Sequence, residues 1–174
     1  MQDQRRASVG GSAPVRAYAD SSFILRLVAI EAEPEEAIAE YRRLDYPPLF
    51  FLPLHALEVR NAILQRAFHQ RRSIASGARQ HVARERDAAL ARLERFMARR
   101  LLLVVAVDMD TAIAPAAKLS TAHTERLGAR AIDLLHVASA LTLESEQFLT
   151  TDARQAQLAK TEGLTVVSVG RHGK

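Results

Sequence analysis

The chain predicts an α/β domain of three layers: a mainly parallel central sheet flanked by helices and extended by a helical hairpin. Three observations carry this. Short apolar runs alternate along the chain with stretches of helical period, the pattern of a parallel sheet with helical crossovers. One run, LLLVVAV at 101–107, is apolar at every position, as expected of a central strand covered on both faces. The length, 174 residues, suits one domain with a core of its own.

The elements follow in order. Residues 1–14, MQDQRRASVGGSAP, lack periodicity and are small and polar, so they are expected to form a disordered tail before a domain spanning 15–170. VRAYAD reads as a buried strand ending at Asp20, and SSFILRLVAI as a helix opened by a serine cap. PEEAIAEYRRL at 34–44 has glutamates in its first turn and arginines in its last, the charge order that a helix dipole favours. LFFLP at 49–53 is a second strand. The helix after it is expected to bury a stripe of Leu54, Leu57, Ile63, Leu64 and Phe68, with Glu58 in its first turns.

A charged helix over 76–99, with Val82, Leu90, Leu93, Phe96 and Met97 as its apolar side, completes a hairpin. After LLLVVAV a helix is expected over 111–127, capped by Asp110. ARAIDLLHVASALTLES is the clearest amphipathic helix, and QFLTTD a strand running into a turn. Asp152 then opens a helix that ends at Gly163, before a last strand, LTVVSV.

Composition narrows the chemistry. The absence of cysteine removes disulfides, thiolate metal sites and thiol nucleophiles, and fits a reducing cytoplasm. No apolar run is long enough to cross a bilayer, and the start lacks a signal peptide's apolar core. A cytoplasmic protein without a membrane partner is expected. The net charge is +4 and the pI about 9.9, with arginine far outnumbering lysine, a residue type suited to bidentate phosphate contact.

Against this basic background stand four carboxylates at strand ends and helix starts: Asp20, Glu58, Asp133 and Asp152. Two carboxylates about 4 Å apart repel by roughly 4 kcal/mol at an effective dielectric near 20, so a cluster of four calls for a cation. Ligands of parallel sheets bind at the carboxyl ends of strands, where Asp20 and Asp152 lie. Each acid alone has a plainer reading, as a helix cap or a dipole-favoured charge; the ordered set of four favours a metal site.

The segments AYADSSFILRL, LPLHALEVRNAI, RAIDLLHVASAL and FLTTDARQAQLAKTEGL, taken in that order from Ala17 to Val169, resemble a PIN-domain ribonuclease of the VapC toxin type. The resemblance implies a PIN-like fold and a Mg²⁺- or Mn²⁺-dependent endoribonuclease leaving 5′-phosphate and 3′-hydroxyl ends. Asp20 and Asp133 would be the metal ligands, with Glu58 and Asp152 acting directly or through water. It also implies a homodimer and a small antitoxin that occludes the acidic pocket, as the toxin of a type II toxin–antitoxin pair. The apolar residues Phe23, Ile24, Leu25, Leu27 and Val28 are candidates for that contact, although a core-facing helix explains most of them.

Other residues are read around this set. Thr151 is expected to be the chief supporting residue, with Ser21 beside it. His136, on the face of Asp133, is read as a packed, hydrogen-bonded histidine, and Asp108 as a further acid near a strand end. The hairpin from Arg60 to Arg100 holds eleven arginines against three acids, a surface suited to an RNA backbone, with Arg71, Arg72 and Arg79 as candidate contacts. No aromatic platform for bases is expected there. Two rivals remain: a non-catalytic RNA-binding or regulatory PIN domain, and a phosphoryl-transfer or receiver-like domain. The second would need a lysine at a strand end, where none lies.

Overall fold

A computed structural model describes residues 15–29 and 35–169 of the chain. The expected tail at 1–14 lies outside the described residues. Five strands form one sheet in the order β3-β2-β1-β4-β5, every neighbouring pair parallel. They are β1 (Ala17–Ala19), β2 (Leu49–Phe51), β3 (Leu102–Val104), β4 (Gln147–Thr150) and β5 (Thr165–Ser168). The chain lays β1, β2 and β3 outward in one direction and then crosses back to place β4 on the other side of β1. That reversal opens a crevice at the carboxyl ends of β1 and β4.

The helices are α1 (Ser21–Val28), α2 (Glu35–Arg43), α3 (Pro53–Ser73), α4 (Arg79–Ala98), α5 (Met109–Leu127), α6 (Ala131–Thr142) and α7 (Ala153–Thr161). Strand side chains alternate between two helical layers, the period-two consequence of the pleat. Ala17 and Ala19 of β1 join Phe23, Ile24, Tyr41, Val59, Ile63 and Leu93 in the core under α1–α4. Tyr18, between them, joins Phe148, Leu134, Val137 and Leu158 under α5–α7. The three-layer architecture is thus the one the alternation of strands and helices predicts. Phe23, Ile24, Leu27 and Val28 are buried in the first core, so the structural reading of that stretch accounts for them.

Four local expectations are corrected. Helix α1 is capped by Asp20, not by a serine: its carboxylate accepts the Phe23 N–H. A carboxylate already held at the strand end reaches the free N–H groups of the first turn. The LLLVVAV strand lies at the sheet edge rather than its centre, and Val104 is 70% exposed.

Helix α3 buries His55, Val59, Ile63 and Ala67, while Leu57, Leu64 and Phe68 are exposed. Ile63 is buried as expected, and His55, Val59 and Ala67 turn inward with it in place of Leu57, Leu64 and Phe68, because that face of α3 packs against α1 and α4. Helix α5 starts at Met109, and its cap is Asp108 rather than the expected Asp110: the Asp108 side chain accepts the Asp110 N–H. It closes at Gly128, whose φ of 63° lies in the left-handed region that glycine enters freely.

Candidate active site

Asp20 stands at the crevice directly after β1, and its own N–H donates to the Leu149 carbonyl of β4 at 2.9 Å. Its carboxylate is fully buried. One oxygen accepts the Phe23 N–H at 2.9 Å, the other the Thr150 hydroxyl at 2.7 Å, and the Ser22 hydroxyl lies within 2.7 and 2.9 Å of the two. Burial nevertheless raises its pKa above the usual carboxylate value, the Thr150 bond and nearby His136 opposing the shift. No lysine or arginine pairs with it among the described residues.

Glu58 is brought to the same region by His55. The His55 Nδ1 accepts the Leu52 N–H at 2.9 Å, which places the ring proton on Nε2, 2.8 Å from the Ala19 carbonyl that accepts it. One side chain therefore satisfies the start of α3 and ties it to the end of β1. Burial holds His55 neutral, its pKa pushed down to about 3. Three residues further along α3, Glu58 Oε2 accepts from the Ser21 hydroxyl at 2.8 Å and from His136 Nε2 at 2.7 Å. Its half-burial would raise its pKa, but the His136 contact and Ser21 outweigh this and hold it below the usual value. His136 is buried, and its Nδ1 lies 2.8 Å from the Tyr18 hydroxyl.

Asp133 and Asp152 form the other half. Asp152 caps α7, accepting the Arg154 and Gln155 N–H groups at 2.7 and 3.1 Å. Asp133 accepts the Arg130 N–H at 2.9 Å with one oxygen and the Gln155 side-chain amide at 3.0 Å with the other. The two halves meet at Thr150: its hydroxyl donates to Asp20 and accepts the Asp152 N–H at 2.9 Å. A continuous path, Asp20–Thr150–Asp152–Gln155–Asp133, thus links three acids from β1, β4 and α6, and Ser21 holds the fourth beside Asp20.

The structure revises the supporting cast. Ser21 bonds Glu58 directly. Thr151 acts at one remove, donating to the Ser22 hydroxyl at 2.7 Å, and Thr150 makes the direct bond to Asp20. His136 is both the packed histidine expected and a partner of a site carboxylate. Gln155 and Tyr18 carried no signal in the sequence: a glutamine in a helix and a tyrosine in a strand are commonplace until their neighbours are known. Asp108 is exposed and spent on its cap. Arg71, Arg72 and Arg79 lie away from the acids, around a groove at the hairpin tip shared with Phe68 and Ile74.

The donors are carboxylate and amide oxygens, the ligand chemistry of hard divalent cations. Gln155 Oε1 is buried without a hydrogen-bond partner beside Asp133, and Asp20 is a buried acid without a cationic side chain. Both observations fit a cation. Among the described residues, no three histidine, aspartate or glutamate side chains converge as a ready-made ligand group; the acids are linked only through intervening residues.

A parallel sheet with carboxylates at its switch point belongs to the α/β proteins that bind ligands at the carboxyl ends of their strands. Within that class the assignment is specific. The PIN domain family matches residues 17–161, most of the chain, and the chain belongs to that family, whose members are typically metal-dependent nucleases. A comparison with curated proteins finds no match. Among the described residues no helix is long and apolar enough to cross a membrane.

Proposed function

We propose that this protein is a Mg²⁺- or Mn²⁺-dependent endoribonuclease and the toxin of a type II toxin–antitoxin pair of the VapC kind. The hydrogen-bonded path joining Asp20, Asp152 and Asp133 through Thr150 and Gln155 is the observation that carries the nuclease reading. It links acids from distant segments, through intervening side chains, to the carboxyl ends of β1 and β4, where ligands of such sheets bind.

Asp20 and Asp133 would hold the ion, with Glu58 and Asp152 completing the negative pocket directly or through water. When bound, the ion supplies Lewis-acid chemistry for phosphodiester hydrolysis: it acidifies water and neutralises developing charge. The chain's residues supply the positioning. Ser22, Thr150 and the Phe23 N–H fix the Asp20 carboxylate, while Gln155 and the Arg130 N–H fix Asp133. His136 and Ser21 keep Glu58 ionised and hold it between α1 and α6.

The partners that fit this reading are an RNA substrate, a cognate antitoxin over the acidic pocket and a second copy of the chain. Incubating purified protein with total cellular RNA tests the activity. Fragments with 5′-phosphate ends, formed with Mg²⁺ or Mn²⁺ and abolished by chelator, are expected. Intact RNA with folded, antitoxin-free protein would refute the nuclease. Growth arrest on expression, relieved by an adjacent small reading frame, tests the toxin role.

A further inference from the structure

From Val59 to Arg84 the chain carries six arginines and no aspartate or glutamate, and this stretch folds into the outer part of the α3–α4 hairpin. Three arginines of the hairpin are engaged elsewhere: Arg60 pairs with Glu94, Arg86 with Asp87, and Arg92 reaches the Val28 carbonyl. At the tip no carboxylate pairs with Arg71, Arg72 or Arg79 among the described residues, and these three line one shallow groove with Phe68 and Ile74. Phe68 is 54% exposed. The Arg72 guanidinium lies over its ring, 5.5 Å from the centroid, and the His69 ring meets it edge-on at 5.3 Å. Phe68, expected in the buried stripe of α3, is therefore an exposed ring among the arginines.

We propose that this tip is a second RNA-contact surface, where phosphates pair with Arg71, Arg72 and Arg79 and an unstacked base packs on Phe68. The inference rests on RNA being the substrate of the acidic crevice. Unpaired arginine forks match phosphate oxygens, and an exposed ring backed by a guanidinium is a surface for base stacking. An exposed aromatic ring is a surface for a base rather than for phosphate alone, which favours a single-stranded or looped RNA over a charged lipid headgroup.

The tip stands apart from the chemistry. Fourteen residues of α3 separate Glu58 from Arg72, about 21 Å at a rise of about 1.5 Å per residue. The surface then acts on substrate capture: RNAs long enough to reach both places bind and are cleaved efficiently, and short ones lose the contribution of the tip.

The test is binding of a fluorescent 30-nucleotide single-stranded RNA in chelator, so that a failed nuclease assignment leaves the readout intact. The triple variant Arg71→Ala, Arg72→Ala, Arg79→Ala should flatten the slope of log K against log salt by about 2, since each phosphate contact to a single strand contributes about 0.7. Phe68→Ala should weaken binding about tenfold with little change in slope. Lys118→Ala, on α5, serves as the control for charge. Circular dichroism checks that each variant is folded, as expected for exposed positions. RNA binding by the triple variant with wild-type affinity and slope would overturn the proposal. So would a Phe68→Ala variant that loses affinity for anionic phospholipid vesicles but keeps it for RNA, because the tip would then be a membrane surface.

Discussion

Replacing Thr150 by valine isolates the joint between the two halves of the site. The hydroxyl is fully buried, donates to Asp20 Oδ2 at 2.7 Å and accepts the Asp152 N–H at 2.9 Å. Valine has nearly the same shape, so the change removes both hydrogen bonds without opening a large cavity. A hydrogen bond to a charged group contributes roughly 1.5–3 kcal/mol, and a buried donor left without a partner costs roughly 1–3 kcal/mol. The added apolar methyl offsets about 1 kcal/mol. A net loss of about 3 kcal/mol is expected, which for a chain of this size lowers Tm by roughly 6–12 °C.

Thermal unfolding followed by circular dichroism at pH 7.5 in chelator measures it. Thr150→Ser, which keeps the hydroxyl, should lose only about 1 kcal/mol for the missing methyl. A Thr150→Val protein within about 2 °C of wild type, or one no less stable than Thr150→Ser, would refute the claim that this hydroxyl joins Asp20 to Asp152.

Three further outcomes follow from the same contacts. Because the folded pKa of Asp20 is raised above 3.8, the native state holds its proton more tightly than the unfolded chain. In chelator, the stability of wild type relative to Asp20→Asn should therefore be greatest in acid and decline as pH rises above 4 through the raised value, as read by urea unfolding across that range. A relative stability that grows with pH would reverse the sign. Gln155→Leu removes the amide that orients Asp133 and should reduce RNA cleavage about 10–100-fold with the fold retained; unchanged activity would remove Gln155 from the site. On α3, Ile63→Ala should cost about 2–5 kcal/mol and Leu64→Ala less than about 1 kcal/mol, and equal losses in chemical denaturation would restore the stripe expected from sequence.

Much of this is legible in the sequence, because the strongest signals are local. Asp20 and Asp152 each follow a strand and open a helix, and both the cap and the strand-end position can be read from a few neighbouring residues. The four segments in order single out Glu58 and Asp133 as well, whose hydrogen-bond partners are Ser21 and His136 for the first and Arg130 and Gln155 for the second. What stayed hidden depends on packing between distant segments. Helix α3 carries apolar residues all round, and only its packing against α1 and α4 decides that Val59 and Ile63 turn inward while Leu57 and Leu64 face water.

The LLLVVAV run reads as central because apolarity reports burial, yet the crossover that places β4 beside β1 leaves β3 at the edge. Thr150 and Gln155 are ordinary residue types whose roles arise from contacts 130 and 22 positions away in sequence. Phe68 lies close to arginines in the sequence, but its exposure is set by how α3 packs against α1 and α4.

The central claim is that Asp20 and Asp133, held in different hydrogen-bonded neighbourhoods, serve one cation. Titration of metal-free protein with Mn²⁺, followed by isothermal calorimetry and the loss of the free-ion paramagnetic signal, measures this directly. Saturable binding in wild type, abolished or strongly weakened by Asp20→Asn alone and by Asp133→Asn alone, is the result the account predicts. Binding of equal affinity and stoichiometry in either variant, or none in folded wild type, would contradict it.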